Sequence, residues 1–353
     1  MVGVTGSIPV APTTAAPARQ PKPMLQETDA PPAADAPAPQ AVIEVRLTAI
    51  IYAARDTNLF EFRRPNGESL PAAEPGAHID VHLPNGLVRQ YSLVHAEAAP
   101  AAYIVGVKLD RTGRGGSRYM HERLRVGESL AISPPRAHFP LVEAQEPTIL
   151  FAGGIGITPI WSMVQRLEAE RRPWQLFYAC RSRQDAAFLA PLQALGPCVT
   201  WHFDDENDGR CLDLAAAVAA APAHAHLYCC GPLPMLAAFE AASADRPADH
   251  VHVEYFTPRS TAAFAGGFTV ALARSRREFR VPPGQSILAV LRAAGVDVSF
   301  SCEQGVCGAC ETPVLSGSPD HRDNILTEKE RAASRTMMIC CSGCTSDLLV
   351  LDL

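Results

Sequence analysis

Hydrophobic and polar positions change rhythm several times along this chain. From Ala41 to about Glu143, short β-rich runs are broken by Pro, Gly and Asn: VIEVRLTAIIYAA, AHIDVHLP, VRQYSLV, AYIVGVKLD and ESLAISPP. With one short helix at GSRYMHERL, they predict a small antiparallel barrel. From about Pro147 to Pro258, strands (TILFAGG, WQLFYACR, HLYCCG) alternate with helices (PIWSMVQRLEAE, an alanine-rich stretch near 212–221, PLPMLAAFEAA). Such alternation predicts a parallel sheet covered by helices. After a small-residue linker, RSTAAFAGG, come FTVALARS, REFRVP, the helix SILAVLRAAG, a cysteine-rich loop and a last strand LLVLDL, which read as a compact β-grasp unit. The expected fold class is multidomain α/β plus β, with an antiparallel β-barrel over 42–144, a parallel α/β domain over 145–258, a linker over 259–267 and a third domain over 268–353.

Composition adds a tail and removes several function classes. Residues 1–41 are rich in Ala, Pro and Thr, and a stretch such as DAPPAADAPAPQ cannot bury enough surface to offset its ordering entropy. That segment reads as a disordered or polyproline-like, inert extension. A length of 353 residues allows two or three domains, and 47% hydrophobic residues can build their cores. The net charge of −6 gives no nucleic-acid footprint and no polybasic membrane patch. No apolar run approaches the roughly 18 residues of a membrane span, and the N-terminus lacks the charged and apolar regions of a secretory signal. Eleven cysteines, an odd count with two adjacent pairs (Cys229-Cys230 and Cys340-Cys341), fit a reducing cytoplasm.

Three of those cysteines carry the sharpest signal. Cys302, Cys307 and Cys310 fall in SCEQGVCGAC with C-x4-C-x2-C spacing. Structural zinc sites usually pair two C-x2-C-like knuckles, or Cys with His. Here one loop supplies three thiols, and the later candidates are Cys340, Cys341 and Cys344. Disulfides suit neither the compartment nor the odd count. This spacing with a distant fourth Cys is the plant-type [2Fe–2S] arrangement. Gly305, Gly308 and Ala309 suit a loop that wraps closely around inorganic sulfide and aims N–H groups at it. Cys340, after an apolar approach and just before the final strand, is the expected fourth ligand. If the segment is extended, Cys341 points to the opposite face and reads as a packed thiol, and Cys344 is expected to stand aside. No Cys-x-His pair exists, so the cluster is all-cysteine, near about −400 mV, against roughly −150 to +300 mV for Rieske centres. It would donate readily to a Rieske protein.

Two segments point to a nucleotide. FAGGIGITPI sets Gly153, Gly154 and Gly156 between a strand and a helix, with Pro159 where G-x-G-x-x-G has its last glycine. Thr158 is expected to cap that helix and Pro159 to take its first position. The resulting N-terminus suits a pyrophosphate, although a plain strand–helix turn explains this segment equally well. In YCCGPLPM, Cys230, Gly231 and Pro232 end a later strand of the same sheet, where open α/β sheets bind ligands. A small thiol followed by Gly lets a flat nicotinamide lie against the backbone; a buried strand cysteine is the bland alternative.

A nicotinamide gives up two electrons at once, and a [2Fe–2S] cluster takes one at a time, so a flavin must stand between them. The first domain should hold it. RQYS offers Arg89 for a phosphate, Tyr91 for packing on a ring or ribityl chain, and Ser92 for a hydrogen bond to the flavin edge. Gly115, Gly116 and Ser117, opening the next helix, form a second anion seat. Lone histidines such as His121, His138 and His252 read as surface or packed residues.

Flavin, nucleotide and ferredoxin motifs in this order resemble the phthalate dioxygenase reductase family, which includes vanillate O-demethylase reductase components. The resemblance covers about residues 42–353. It implies a barrel using FMN, a NAD domain and a C-terminal ferredoxin domain. It implies FMN contacts at Arg89, Tyr91, Ser92, Gly116 and Ser117, and nicotinamide-nucleotide contacts at Gly154, Gly156, Thr158, Cys230, Gly231 and Pro232. Cys302, Cys307, Cys310 and Cys340 would be the cluster ligands. The catalytic positions would be Ser92 beside the flavin and Cys230 beside the nicotinamide. Two departures stand out: Ala137 in PPRAHFPL where Asn is usual, and Gly343-Cys344 in CCSGC where an Arg and a small residue are common. CRSRQD offers Arg181, a cofactor-binding candidate, with Arg183 and Asp185. Its chemistry leans towards tolerating NADPH, while the resemblance implies NADH. The expected activity is NADH oxidation through FMN and the cluster, by a monomeric cytoplasmic protein, for a separate terminal oxygenase, Rieske type favoured. A cytochrome P450 is the rival acceptor, and a metal-binding interaction module the rival outside enzymes.

Overall fold

A computed structural model describes residues 1–3 and 42–353. The tail expected over 1–41 therefore lies almost wholly outside the described residues. Strands β1 (Ile43–Ala54), β2 (Thr57–Arg63), β3 (His78–His82), β4 (Val88–Ser92), β5 (Tyr103–Lys108) and β6 (Ser129–Ile132) form an antiparallel sheet in the order β4-β3-β6-β1-β2-β5. A bridge between Leu93 and Val105 joins its two edges, closing the barrel. The long strand β1 serves two neighbours: Ile43–Arg46 pair with β6, and Arg46–Ala54 with β2. Register shifts at Leu47/Ala49 and Tyr52/Ala54 bend it between them, as bulges do. Alternation fills the interior, with Phe60 and Phe62 of β2 and Tyr103, Val105 and Val107 of β5 turned inward. Helix α1 (Gly116–Glu122) plugs one end with Met120.

Next, β7 (Thr148–Gly153), β8 (Trp174–Cys180), β9 (Val199–Phe203), β10 (His226–Cys230) and β11 (Val251–Glu254) make a parallel sheet in the order β11-β10-β7-β8-β9. Every residue of β7 and β10 is buried, as expected of central strands covered on both faces. Helix α2 (Ile157–Glu170) packs Ile160, Met163, Val164 and Leu167 on one face. The short α3 (Leu189–Gln193) adds Leu192 there. On the other face α4 (Leu214–Ala220) and α5 (Leu233–Ala242) set Val218, Leu236 and Phe239 against Phe151 and Leu227. The chain leaves β7 towards β8 and β9, then returns to β10 on β7's other side. The crevice beyond the carboxyl ends of β7 and β10 is thus a topological switch point, the usual ligand position in such sheets.

The third sheet runs β13-β12-β18-β14-β16, built from β12 (Phe268–Leu272), β13 (Arg277–Val281), β14 (Glu311–Ser316), β16 (Thr336–Met338) and β18 (Leu348–Leu351). A two-stranded clip joins β15 (Pro319–Asp320) to β17 (Gly343–Cys344). Ser286 caps α6 (Ile287–Ala293) by accepting from Ala289 N–H at 3.1 Å. Thr327 and Glu330 form a capping box on α7 (Glu328–Ala333). The stretch expected to be a loose linker is held to this third unit. Ser260 donates to the Arg322 carbonyl (2.9 Å), Ala263 N–H to the Cys341 carbonyl (2.8 Å), and Gly284 N–H to the Phe264 carbonyl (2.8 Å).

Candidate functional site

The cysteine loop lies between α6 and β14, and Cys302, Cys307, Cys310 and Cys340 are all buried. Glu303, Gly305 and Gly308 take left-handed φ values of 56°, 70° and 70°, so the loop coils tightly. That coil turns backbone donors onto sulfur. Gln304 N–H and Val306 N–H reach the Cys302 Sγ at 3.2 and 3.4 Å, and Cys302 N–H reaches the Cys307 Sγ at 3.4 Å. The thiols lie together, Cys302 against Cys307 and Cys340, and Cys340 against Cys310. Hydrogen bonds from Cys307 and then Cys340 pull the Cys302 thiol far below the usual thiol range, helped by the two backbone donors. Among the described residues no three or more His, Cys, Asp or Glu side chains are placed to hold a single metal ion. Four buried thiols gathered together would suit a two-iron centre, with Cys302, Cys307, Cys310 and Cys340 as its ligands.

Cys341 is a packed, buried thiol as read, but not on an extended segment. Residues 339–341 turn rather than extend, so Cys341 does not point away: its thiol lies against that of Cys340 and where a Cβ on Gly305 would be. Cys340 meets Cys302 and Cys310 as well as Cys341, which makes it the central thiol of the group. Cys344 stands aside, with its Sγ on the Ser346 hydroxyl at 3.1 Å.

Two cavities adjoin. The first, about 550 Å³, is walled by Arg89, Tyr91, Ser92, Gly116 and Ser117 of the barrel, Thr158 of α2, Glu254–Thr257 at and beyond the end of β11, and Gln304 and Val306 of the cysteine loop. Arg89 passes directly over Gly116, where a Cβ would stand 2.5 Å from the Arg89 Cγ. Its guanidinium donates to the Val88 and Arg114 carbonyls at 2.8 and 2.9 Å. Burial, then repulsion from Arg114, lowers its pKa. Among the described residues neither arginine pairs with a carboxylate, so two uncompensated cations face this cavity. Ser92 is buried on its wall. The Ser117 hydroxyl accepts from Asp110 N–H (3.0 Å), keeping its own proton to donate. Gly115 adopts φ 83° just before α1 and is not on the wall itself.

The second cavity, about 570 Å³, lies at the switch point. Gly153, Gly154, Gly156, Gly231 and Pro232 line it, with Arg181, Asp185 and Asp204 further out. The turn after β7 approaches the end of β10 so closely that a Cβ on Gly156 would collide with the Cys230 carbonyl oxygen. Lys108, Ile155, Phe256 and Thr257 belong to both walls, so the two cavities are immediate neighbours.

Two sequence expectations fail in detail. Thr158 is no cap: Gly156 occupies that position without a side-chain bond, Thr158 and Pro159 lie inside α2, and the Thr158 hydroxyl donates back to the Ile155 carbonyl at 3.0 Å. Its methyl abuts Gly106 of the barrel, so it lines the first cavity rather than the second. Cys230 is fully buried and lines neither cavity. Its thiol faces the Glu254 carboxyl across paired strands, and burial pushes that carboxyl up to about 8. The Glu254 Oε2 is buried without a hydrogen-bond partner among the described residues.

Sequence reasoning missed the residues that join barrel to cysteine loop. Gln90 donates to Ser301 and to Asp80 (2.9 Å), while Arg114 donates to the Cys302 carbonyl (3.2 Å) and to Gln304 (2.8 Å). The His138 ring lies against Gly308, bonds the Cys307 backbone and stacks on His78 at 5.4 Å.

Comparison with known proteins agrees with this geometry. Residues 270–345 match the family model for a 2Fe-2S iron-sulfur cluster binding domain, and residues 150–241 that for an oxidoreductase NAD-binding domain. The phenoxybenzoate dioxygenase subunit beta of Ectopseudomonas oleovorans is 50% identical over 90% of this chain and 99% of its own. The solved phthalate dioxygenase reductase, described as a modular structure for electron transfer from pyridine nucleotides to [2Fe-2S], is 37% identical over 88% of this chain and 98% of its own, with a TM-score of 0.67. The chain belongs to the phthalate dioxygenase reductase family. Its relatives there include the tetrachlorobenzoquinone reductase of Sphingobium chlorophenolicum, 48% identical over 89% of this chain and 99% of that one. The same fold forms part of an intact type IV self-sufficient cytochrome P450 monooxygenase: 38% identity, TM-score 0.81, covering 88% of this chain and 41% of the other. Against the family's cofactors the residues fit. Gathered thiols with inward N–H donors suit a [2Fe–2S] centre, two uncompensated arginines suit a flavin phosphate, and the glycine-lined switch point suits a dinucleotide. Among the described residues no helix is long and apolar enough to cross a membrane.

Proposed function

We propose that this chain is the NADH-dependent reductase of an aromatic-compound oxygenase, working as a monomer through FMN and one plant-type [2Fe–2S] cluster. The observation that carries the reading is the wall of the first cavity, which takes residues from the nucleotide domain on one side (Glu254–Thr257) and from the cysteine loop on the other (Gln304, Val306). Bound there, a flavin supplies the exchange between two-electron and one-electron chemistry that nicotinamide and iron–sulfur require of each other. The protein's part is positioning. Arg89 and Arg114 hold the phosphate, Ser92 offers its hydroxyl proton to the ring edge, and Gly154, Gly156 and Gly231 let the dinucleotide approach the backbone. Glu254 keeps a proton on its carboxyl at neutral pH beside the junction of the cavities, backed by the Cys230 thiol. Cys302, Cys307, Cys310 and Cys340 ligate the cluster.

The terminal acceptor is a separate Rieske-type oxygenase, whose potential range lies above that of an all-cysteine cluster. Two relatives support other acceptors: the quinone reductase, a small quinone taken directly; the monooxygenase, a haem protein. Anaerobic NADH titration tests the core reading, with flavin and iron–sulfur absorption bleaching together. Rapid oxidation of the reduced protein by a Rieske protein, and slow oxidation by a quinone or a P450, is the expected result. The reverse order would overturn the choice of acceptor, and a colourless protein the whole reading.

A further inference from the structure

At the outer end of the second cavity, β8 and β9 finish side by side, Cys180 opposite Phe203. Each runs into a single 3-10 turn, Arg183–Asp185 after β8 and Asp204–Glu206 after β9. Asp205 N–H donates to the Arg181 carbonyl at 3.0 Å and ties the turns together. The charges here are arranged unequally. Arg181 and Asp204 line the cavity. Asp185 is taken by Arg55, through Nε at 3.0 Å and Nη2 at 2.5 Å, and by the Ser182 hydroxyl at 2.8 Å. Arg183, two residues from both Arg181 and Asp185, is withdrawn. Its Nε and Nη2 grip the two Glu206 oxygens at 2.5 and 3.0 Å, and its guanidinium lies over the Phe203 ring, 4.6 Å from the centroid. Two parallel hydrogen bonds plus a stacked ring hold an exposed arginine far better than a simple surface ion pair would.

We propose that the Glu206–Arg183 clamp sets the preference for NADH over NADPH, by occupying the second cation, beside Arg181, that a 2′-phosphate would otherwise meet. NADPH differs from NADH only by that phosphate on the adenine-side ribose, a group of roughly −1.5 to −2 charge whose binding depends on arginine. With Arg183 held by Glu206, the cavity wall keeps Arg181 and the carboxylate of Asp204, so a 2′-phosphate meets one cation instead of two, beside a carboxylate that suits ribose hydroxyls and repels it. Sequence alone shows two arginines in CRSRQD and reads as tolerant of NADPH. The structure shows that one of them is already engaged, by a residue 23 positions later. The inference rests on the second cavity being the dinucleotide site, and it makes Arg183 and Glu206 specificity residues that need not touch NADH.

The test compares wild type, Glu206→Gln and the double variant Glu206→Gln/Arg183→Ala as holoenzymes. Calorimetric binding of NADP+ and of 2′,5′-ADP is measured, together with kcat/KM for NADPH relative to NADH. The clamp predicts that Glu206→Gln tightens NADP+ binding and raises the NADPH-to-NADH ratio by about tenfold or more, the scale of one new charge-assisted hydrogen bond, and that the double variant returns towards wild type. An unchanged ratio in Glu206→Gln overturns the proposal. So does an increase that survives in the double variant, because it would come from lost negative charge and not from Arg183. Wild-type bleaching by NADH separates the two readings: if it occurs while Glu206→Gln changes nothing, only the clamp falls, and if NADH never bleaches the protein, both fall.

Discussion

Cys230 and Glu254 sit opposite each other in the β10–β11 register, which sets the thiol beside the carboxyl. Burial holds that carboxyl at about 8, well above its ordinary 4.5. Between those values the folded protein binds a proton that the unfolded chain has lost. Stability contributed by this group is therefore full below about pH 4.5 and falls as pH rises towards 8, by at most about 1.4 kcal/mol per unit. Glu254→Gln should remove that slope. Chemical denaturation of the two proteins from pH 5 to 8 should show the variant improving on wild type as pH rises; parallel curves would place the carboxyl in water.

Replacing Cys302 or Cys340 with Ser should abolish the iron–sulfur absorption while NADH still bleaches the flavin. Cys341→Ser should retain iron and sulfide, since it is Cys340 that meets Cys302 and Cys310. Metal analysis and electron paramagnetic resonance decide between them. Loss of the cluster in Cys341→Ser, with Cys340→Ser intact, would exchange their roles.

Arg89 offers charge-assisted donors to an anion, interactions that contribute about 1.5–3 kcal/mol. Arg89→Gln should weaken flavin retention by roughly ten- to a hundredfold, read as the dissociation constant from recovered flavin fluorescence. The iron content should stay at the wild-type level, because Arg89 makes no hydrogen bond to the cysteine loop among the described residues.

The junction of barrel and cysteine loop should govern the second half of electron flow alone. A Cβ on Gly308 would sit 2.7 Å from the His138 ring, at a φ of 70° that already disfavours side chains. Gly308→Ala and Gln90→Leu should slow cluster reduction at least about tenfold, a loss of order 1.4 kcal/mol in the barrier, and leave the NADH-to-flavin step unchanged. Stopped-flow traces at flavin and cluster wavelengths separate the two phases; a single phase slowed equally in both would refute the assignment.

What could be read from sequence was what lies close together in it. Alternation of Ile79 and Val81 marks a strand, and C-x4-C-x2-C marks a cluster loop, because each pattern is completed within a few residues. Cys340 was reachable through its apolar approach. Thr158 was misplaced because a hydroxyl near a helix start can bond backwards, here to Ile155, as readily as cap. Glu254 gave no signal at all: HVEYF reads as an ordinary strand, and only strand pairing brings it to Cys230, 24 residues earlier in the chain. Gln90 and Ser301 are 211 residues apart, and no local pattern could have joined them.

The connection at residues 259–267 is bonded along its length to the domain it precedes, through Ser260, Ala263 and Phe264. On the other side, Gln90, Arg114 and His138 hold the thiol-bearing coil to the barrel. Such a molecule does not carry charge to its customer by swinging an arm. It is a fixed terminal, and whatever receives the electrons must travel to it, dock and leave, so turnover should rise with recipient concentration and slow with solvent viscosity.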